Sequence, residues 1–276
     1  MNKKHRGGIA GLLAVFMVSL VCISLTTERR VHKPPPYLQQ ESKEQEPSGK
    51  EELVAKMEEL LNKMMTATEK VQDYTCIFTK QEYVKNKLRR METIFMKHRK
   101  KPHSVYMKWI KKPNKSRECL YCEGRYGNKL QAHEGRGLKS LVGTVSLNPE
   151  GRSAMKGNRH PITEAGIFNT IYKIKKDFEL AKEHPEHNVL YERFEEKEIL
   201  GQPSICVHII QPKDMKYGYY AFKAEIGIHQ KLYLPTSVKI WDFTGRLVEF
   251  YTYSDYKINV GLTERDFDIK NKEYKF

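Results

Sequence analysis

Most of this sequence consists of short segments that alternate apolar and polar residues and follow one another through short turns. Alternation with a period of two is typical of strands with one buried face, and short connections favour antiparallel neighbours. The predicted strands cover residues 74–83, 91–97, 104–111, 117–122, 129–134, 189–200, 204–211, 219–229, 234–253 (a hairpin that turns at Thr244 and Gly245) and 253–260. About ten strands in series predict one large antiparallel sheet.

Two segments show helical periodicity instead. Residues 51–73 and 163–182 each place their apolar side chains on one stripe, and Thr163 is a predicted N-cap. Because these stripes must be buried, we predict an α+β fold in which a large curved antiparallel sheet covers two amphipathic helices on its concave face. A curled sheet whose interior is incompletely filled leaves an apolar cavity.

The N-terminus predicts export. A basic cluster at positions 3–6 precedes an uncharged run over residues 7–27, which is the pattern of a bacterial export signal. The run is slightly long for a signal peptide and just long enough for a transmembrane helix, so residues 1–27 are interpreted as either a cleaved signal peptide or an N-terminal membrane anchor. Both alternatives place the domain in the periplasm.

The next segment is predicted to be a disordered linker. Residues 28–50 contain Pro34-Pro35-Pro36 and are otherwise rich in Glu, Gln, Lys and Ser. The folded domain is therefore predicted over residues 51–276.

The chain is strongly basic, with a net charge of +15. A basic surface attracts phosphate-bearing partners, including an anionic membrane surface, although Lys and Arg spread throughout a chain also serve solubility. Export argues against nucleic acid as the partner.

Several segments together resemble a known family. The C-terminal segments 234–238, 242–246 and 253–259 are similar to periplasmic lipoprotein carriers of the LolA/LolB type. More specifically, segments 74–82, 104–109, 117–124 and 155–164 resemble the bacterial domain of unknown function 1571. The resemblance implies an open half-barrel lidded by helices, and relatives that bind lipoprotein acyl chains or act as envelope-stress sensors. A membrane anchor departs from the soluble carriers.

Candidate binding residues fall into two groups. The first is apolar, and its members are expected either to line the cavity or to pack as core: Phe78, Tyr106, Trp109, Met155 and Phe168. The second lies at the end of a long predicted loop, residues 135–161, and comprises Arg159, His160 and Glu164. Cationic donors just before a helix suit anion capture, and the alternative is an internal Arg159–Glu164 pair that pins the loop.

Other chemistry-bearing residues give weaker signals. Cys119 and Cys122 are interpreted as small core residues or as partners of Cys76 or Cys206 in cross-strand disulfides. The spacing of His184 and His187 suits a metal, but their setting favours an exposed turn. No motif for a known reaction is present, so no metal, cofactor or catalytic residue is predicted.

These observations predict a non-enzymatic envelope protein that binds a lipid or the acyl chain of a lipoprotein. The alternative is a scaffold or sensor domain that binds an envelope protein or an anionic polymer. An enzymatic function depends only on the Arg159–Glu164 cluster.

Overall fold

The computed structural model describes residues 48–135 and 143–276. The predicted signal peptide or anchor at residues 1–27, and the predicted linker up to residue 47, lie outside these ranges. Within them, no helix combines the length and the apolar character that crossing a membrane requires.

Twelve strands of the described chain form one sheet in which every pair is antiparallel. Their bounds are β1 Asp73–Val84, β2 Lys87–Leu88, β3 Glu92–Arg99, β4 Ser104–Trp109, β5 Glu118–Cys122, β6 Leu130–His133, β7 Thr144–Leu147, β8 Leu190–Ile199, β9 Gln202–Ile210, β10 Lys223–His229, β11 Pro235–Trp241 and β12 Leu247–Ile258. The predicted large antiparallel sheet is confirmed. The loop predicted over residues 135–161 is wrong in part, because β7 pairs with β6 within it.

The sheet is open. Its order is β7-β6-β5-β4-β3-β1-β12-β11-β10-β9-β8, with β2 attached to β1, so β7 and β8 are the two edges and are not paired with each other. The first long strand, β1, pairs with the last, β12, and this ladder joins an N-terminal and a C-terminal meander. The half-barrel expected from the resemblance is confirmed as an open sheet with two helices.

The helices are α1, Ser48–Lys70, and α2, Ile167–Glu183. Each buries one apolar stripe in the main core, through Met57, Leu60, Leu61 and Met64 of α1 and Ile167, Ile171 and Phe178 of α2. The stripes therefore lie where their periodicity predicts.

The predicted N-cap at Thr163 is wrong. Residues Ile162–Glu164 form a separate 3-10 turn, and α2 is capped by Gly166, whose φ is 109°. A Cβ at position 166 would lie 2.6 Å from the ring of His98 and 2.9 Å from the hydroxyl of Tyr74. Glycine is needed here for both its backbone conformation and its size.

The four cysteines of the described chain are buried and form no disulfide, so the cross-strand disulfide alternative is wrong. Cys119 and Cys122 lie on one strand, β5. Burial raises the pKa of Cys119 to about 12, which is consistent with a small core residue rather than a reactive thiolate.

Candidate functional site

A cavity of about 570 Å³ lies between the sheet and the helices. Strands of both meanders contribute to its wall, and α2 contributes one side. Much of the lining is aliphatic or aromatic: Met57, Phe78, Met107, Trp109, Leu130, Ile174, Phe178, Ile209, Ile226, Val238, Ile240 and Tyr253. The strand residues among them face inward because side chains alternate along each strand, as Met107 and Trp109 do on β4.

One part of the wall is polar and is built on two buried carboxylates. Glu82 of β1 and Glu249 of β12 are direct partners across the ladder, and only 4% and 2% of their surfaces are exposed. Buried carboxylates require donors or cations close by. Here they are provided by the neighbouring strands and by the segment that precedes α2.

Three side chains converge on one oxygen of Glu249. Arg159 donates from Nε at 2.7 Å, Tyr220 donates its hydroxyl at 2.6 Å, and Nε2 of His160 lies 3.1 Å away. Burial by itself raises the pKa of Glu249. Hydrogen bonds from these three side chains and the charge of His160 outweigh that effect and lower the pKa to about 2. The carboxylate is therefore held in its ionised form.

Glu82 also accepts three hydrogen bonds. Its Oε1 accepts the hydroxyl of Tyr251 at 2.6 Å, and its Oε2 accepts the backbone N–H of Arg159 at 3.1 Å and Nζ of Lys80 at 3.3 Å. Lys80 in turn donates to Oδ1 of Asn158 at 2.6 Å. The two glutamates thus tie the segment before α2 to β1 and β12.

The network continues to α2. Nδ1 of His160 lies 3.1 Å from Oε2 of Glu164, and Lys173 donates to the same oxygen at 3.0 Å. Arg159 and Glu164 therefore belong to one network but have different ion partners, Glu249 and Lys173. The predicted direct Arg159–Glu164 pair is wrong, because Glu249, which projects inward from β12, takes the guanidinium instead.

The predicted binding residues separate into two sets. Phe78, Trp109, His160 and Glu164 line the cavity. Arg159 joins the polar network without belonging to the lining. Tyr106, Met155 and Phe168 also lie outside the lining.

Tyr106 and Phe168 pack elsewhere for clear reasons. Tyr106 lies between Val105 and Met107 on β4, so it projects from the opposite, convex face, where its ring stacks on Tyr274 at 4.0 Å. Phe168 packs near the rings of Tyr74 and His98, at 6.3 and 5.3 Å between centroids.

The sequence reasoning missed Glu82, Glu249, Tyr220 and Tyr251. A signal for the two glutamates exists, because each continues the inward series of its strand. On β1 the series Tyr74, Cys76, Phe78 runs on into Lys80 and Glu82. A charged residue at an inward position requires an internal partner.

This polar wall suits anchoring more than proton transfer. A carboxylate with a pKa near 2 is a weak base at neutral pH, and its donors are already engaged. The network therefore fixes the segment before α2 against the wall of the cavity.

Two groups on the described chain bring metal-ligating atoms within 4.8 Å of one another: His184, Glu186 and His187, and Cys206, His208 and Glu225. In the second group, Lys239 and Lys197 bind the carboxylate of Glu225 at 2.9 and 3.4 Å. In the first, His184 contacts Glu186 at 3.0 Å and His187 contacts the hydroxyl of Tyr219 at 3.0 Å. Internal ion pairs and hydrogen bonds thus account for both groups.

A family model described as "Protein of unknown function (DUF1571)" matches residues 71–276. The chain belongs to the DUF1571 family. The family predicted from the sequence segments is therefore confirmed. A comparison of this DUF1571 sequence with curated proteins finds no match.

Among solved structures, the DUF1571 chain is similar to MucB in the MucA/MucB complex of Pseudomonas aeruginosa, at 11% identity over 77% of this chain and 60% of that chain, with a TM-score of 0.43. It is similar to lipoprotein LppX of Mycobacterium tuberculosis at 12% identity over 79% and 99% of the two chains, with a TM-score of 0.42. A LolA superfamily protein of Nitrosomonas europaea matches at 11% identity over 77% and 97%, with a TM-score of 0.31. The chain spans 62% of the length of MucB in another of its structures.

Proposed function

We propose that this DUF1571 protein is a periplasmic binding protein that holds the acyl chain of a lipid or lipoprotein in the cavity of its half-barrel. The N-terminal segment either anchors the domain to the inner membrane or is cleaved after export. The observation that carries the proposal is the cavity itself, which has apolar walls from both meanders and from α2.

The size and chemistry of the cavity support this proposal. Its volume of about 570 Å³ falls within the ~300–1,000 Å³ range of small-molecule sites. Each methylene that leaves water for such a wall contributes roughly 0.8 kcal/mol. An acyl chain needs no hydrogen-bond partners along its length, which matches the aliphatic and aromatic part of the lining.

The test uses the full-length protein and a hexadecanoic acid probe that carries a diazirine for photo-crosslinking and an alkyne for detection. The protein is expressed in a Gram-negative host, purified, and illuminated with the probe, and labelled peptides are mapped by mass spectrometry. Lipids that remain with the purified protein are extracted and measured in parallel. We expect labels on cavity-lining peptides and an acyl-bearing lipid in stoichiometric amount.

A pair of variants makes the test specific. Ala224→Phe adds a ring at a buried lining position of β10, whereas Ala55→Phe adds the same ring at an exposed position of α1. We expect labelling to fall in the first variant and to persist in the second. If the wild-type protein carries no lipid and is not labelled, the proposal is wrong, and a protein partner becomes the next candidate.

A further inference from the structure

Three cations line the cavity without an ion partner among the residues that the structure describes. They are Arg89, Arg90 and Lys156, and we refer to them as the cationic rim. Arg89 and Arg90 precede β3, and Lys156 lies in the segment before α2. Because Arg90 and Lys156 are exposed and also line the cavity, the rim lies where the cavity meets solvent.

The other cations of the lining are engaged. Lys80 binds Glu82 at 3.3 Å, Arg117 binds Glu134 through two nitrogens at 2.9 to 3.1 Å, and Lys173 binds Glu164 at 3.0 Å. The cationic rim therefore differs from the other lysine and arginine residues of the lining, each of which has a carboxylate partner.

Arg89 gives a second, independent indication. Its Nε is buried and has no hydrogen-bond partner in the described structure, although buried donors are almost always paired. The guanidinium lies beside Gly157, where a Cβ would come within 3.8 Å of Nε. This places the Arg89 guanidinium against the backbone of the segment that contains Lys156, so both residues line the cavity from adjoining segments.

We infer that the ligand is an amphiphile with an anionic head group, a carboxylate or a phosphate, which binds the cationic rim while its chain occupies the apolar cavity. This inference rests on the proposed function and specifies its ligand class. A guanidinium presents a planar set of donors that fits carboxylate and phosphate oxygens. The exposed members of the rim are screened by salt, so binding weakens as ionic strength rises.

The test compares three hexadecyl probes on the full-length protein, each with the same diazirine and alkyne: the acid, the phosphate and the uncharged alcohol. The variant Arg89→Gln/Arg90→Gln/Lys156→Gln removes the cationic rim. The control Lys231→Gln/Lys257→Gln/Lys272→Gln removes three exposed charges outside the cavity, so the net charge of the two variants is the same. Thermal unfolding verifies that each variant is folded.

We expect the rim variant to bind the acid and the phosphate about tenfold more weakly than the wild type, and the alcohol within about twofold of it. The control variant should match the wild type for all three probes. At millimolar concentration, acetate and inorganic phosphate, which carry no hexadecyl chain, should not prevent labelling by the hexadecanoic acid probe. A head group without a chain lacks the apolar contacts.

The outcomes separate this inference from the proposed function. If the wild type binds all three probes equally and the rim variant changes nothing, the cavity binds chains and the inference about the head group is wrong. If the rim and control variants weaken binding alike, the effect is one of net charge, and the inference is wrong again. Protection by inorganic phosphate alone would assign the rim to a free anion. If no probe labels the wild type, the proposed function itself fails.

Discussion

On the concave face, Glu249 is bound by Arg159, His160 and Tyr220 at the wall of the cavity. On the convex face, Glu225 is bound by Lys239 and Lys197, whose side chains are 34% and 37% exposed. For both carboxylates, burial raises the pKa, and the partner side chains lower the pKa to about 2.

The two carboxylates nevertheless depend on their surroundings differently. The side chain of Arg159 is 33% exposed, about as much as that of Lys239, but the Glu249 carboxylate is more deeply buried than that of Glu225, at 3% against 11% exposed. Two partners of Glu249, His160 and Tyr220, also contact each other at 2.8 Å, whereas the lysines of Glu225 can turn to water if the carboxylate is removed. Glu249 and Glu225 therefore have similar pKa values but different structural roles, and substitution of each carboxylate can distinguish these roles.

The largest effect is expected for Glu249→Gln. This change leaves Arg159 and His160 without the charge that they surround, and loss of one member of a buried ionic network costs about 3 kcal/mol in the free energy of unfolding. Glu225→Gln is the matched change and should cost about 1 kcal/mol or less, as for partly exposed pairs. Urea unfolding followed by tryptophan fluorescence measures both values, and equal losses would contradict the comparison.

A smaller effect is expected for Gly166→Ala, which lies on the concave side at the start of α2. The added Cβ meets the ring of His98 and requires an unfavourable backbone conformation, so the variant should lose about 2 kcal/mol. Gly245→Ala provides the control, because its φ is 82° but no atom lies within 4 Å of the new Cβ. A similar loss in both variants, again from urea unfolding, would show that the contact with His98 contributes nothing.

The third prediction concerns Tyr274 on the convex face. Tyr274 stacks on Tyr106 and donates its hydroxyl to the backbone carbonyl of Asp266 at 2.8 Å. Tyr274→Ala should lose about 1.5 kcal/mol of stability, and Tyr274→Phe less, because it keeps the stacked ring. Neither change should alter cross-linking of the hexadecanoic acid probe. Reduced labelling in Tyr274→Phe would show that this face takes part in binding.

The smallest effect concerns pH. Burial, with a contribution from nearby His103, lowers the pKa of His98 to about 3. Since the unfolded histidine has a pKa near 6.5, protons bind only the unfolded state as the pH falls from about 6.5 towards 3, and stability declines over that window. Between pH 7 and 5.5 the loss should be about 1 kcal/mol.

His98→Phe should remove this part of the pH dependence. The phenylalanine keeps an aromatic ring against Tyr74, since the ring centroids of His98 and Tyr74 lie 5.0 Å apart. Neither nitrogen of His98 has a hydrogen-bond partner in the described structure, so the substitution removes no hydrogen bond. Stability measured at pH 7 and pH 5.5 in the variant and the wild type checks this. An unchanged slope would assign the acid sensitivity to other groups.

The sequence predicted the fold better than the site, for physical reasons. Strand alternation and helical stripes report burial of apolar side chains, so the sheet and both helices were found. β7 was missed because Thr144–Leu147 is short and none of its residues is fully buried, so it shows no clear alternation.

The polar wall depends on pairing that no local pattern reveals. Glu82 and Glu249 are 167 positions apart and become neighbours only through the register of β1 with β12. Tyr106 is a predicted cavity-lining or core residue because it is a large aromatic, although the alternation of Val105, Met107 and Trp109 assigns it to the other face. Strand alternation alone places Tyr106 on the convex face and both glutamates on the concave face, but it does not show that the two glutamates are neighbours.

The unpaired edges β7 and β8 have a mechanical consequence. In a closed barrel, the strand number and the shear fix the radius, and a change of width breaks hydrogen bonds. Here no ladder joins the two edges β7 and β8, so the hydrogen bonds of the sheet do not fix its curvature as those of a closed barrel do. The width of the cavity between the sheet and the helices is therefore not fixed by a closed ring of interstrand hydrogen bonds.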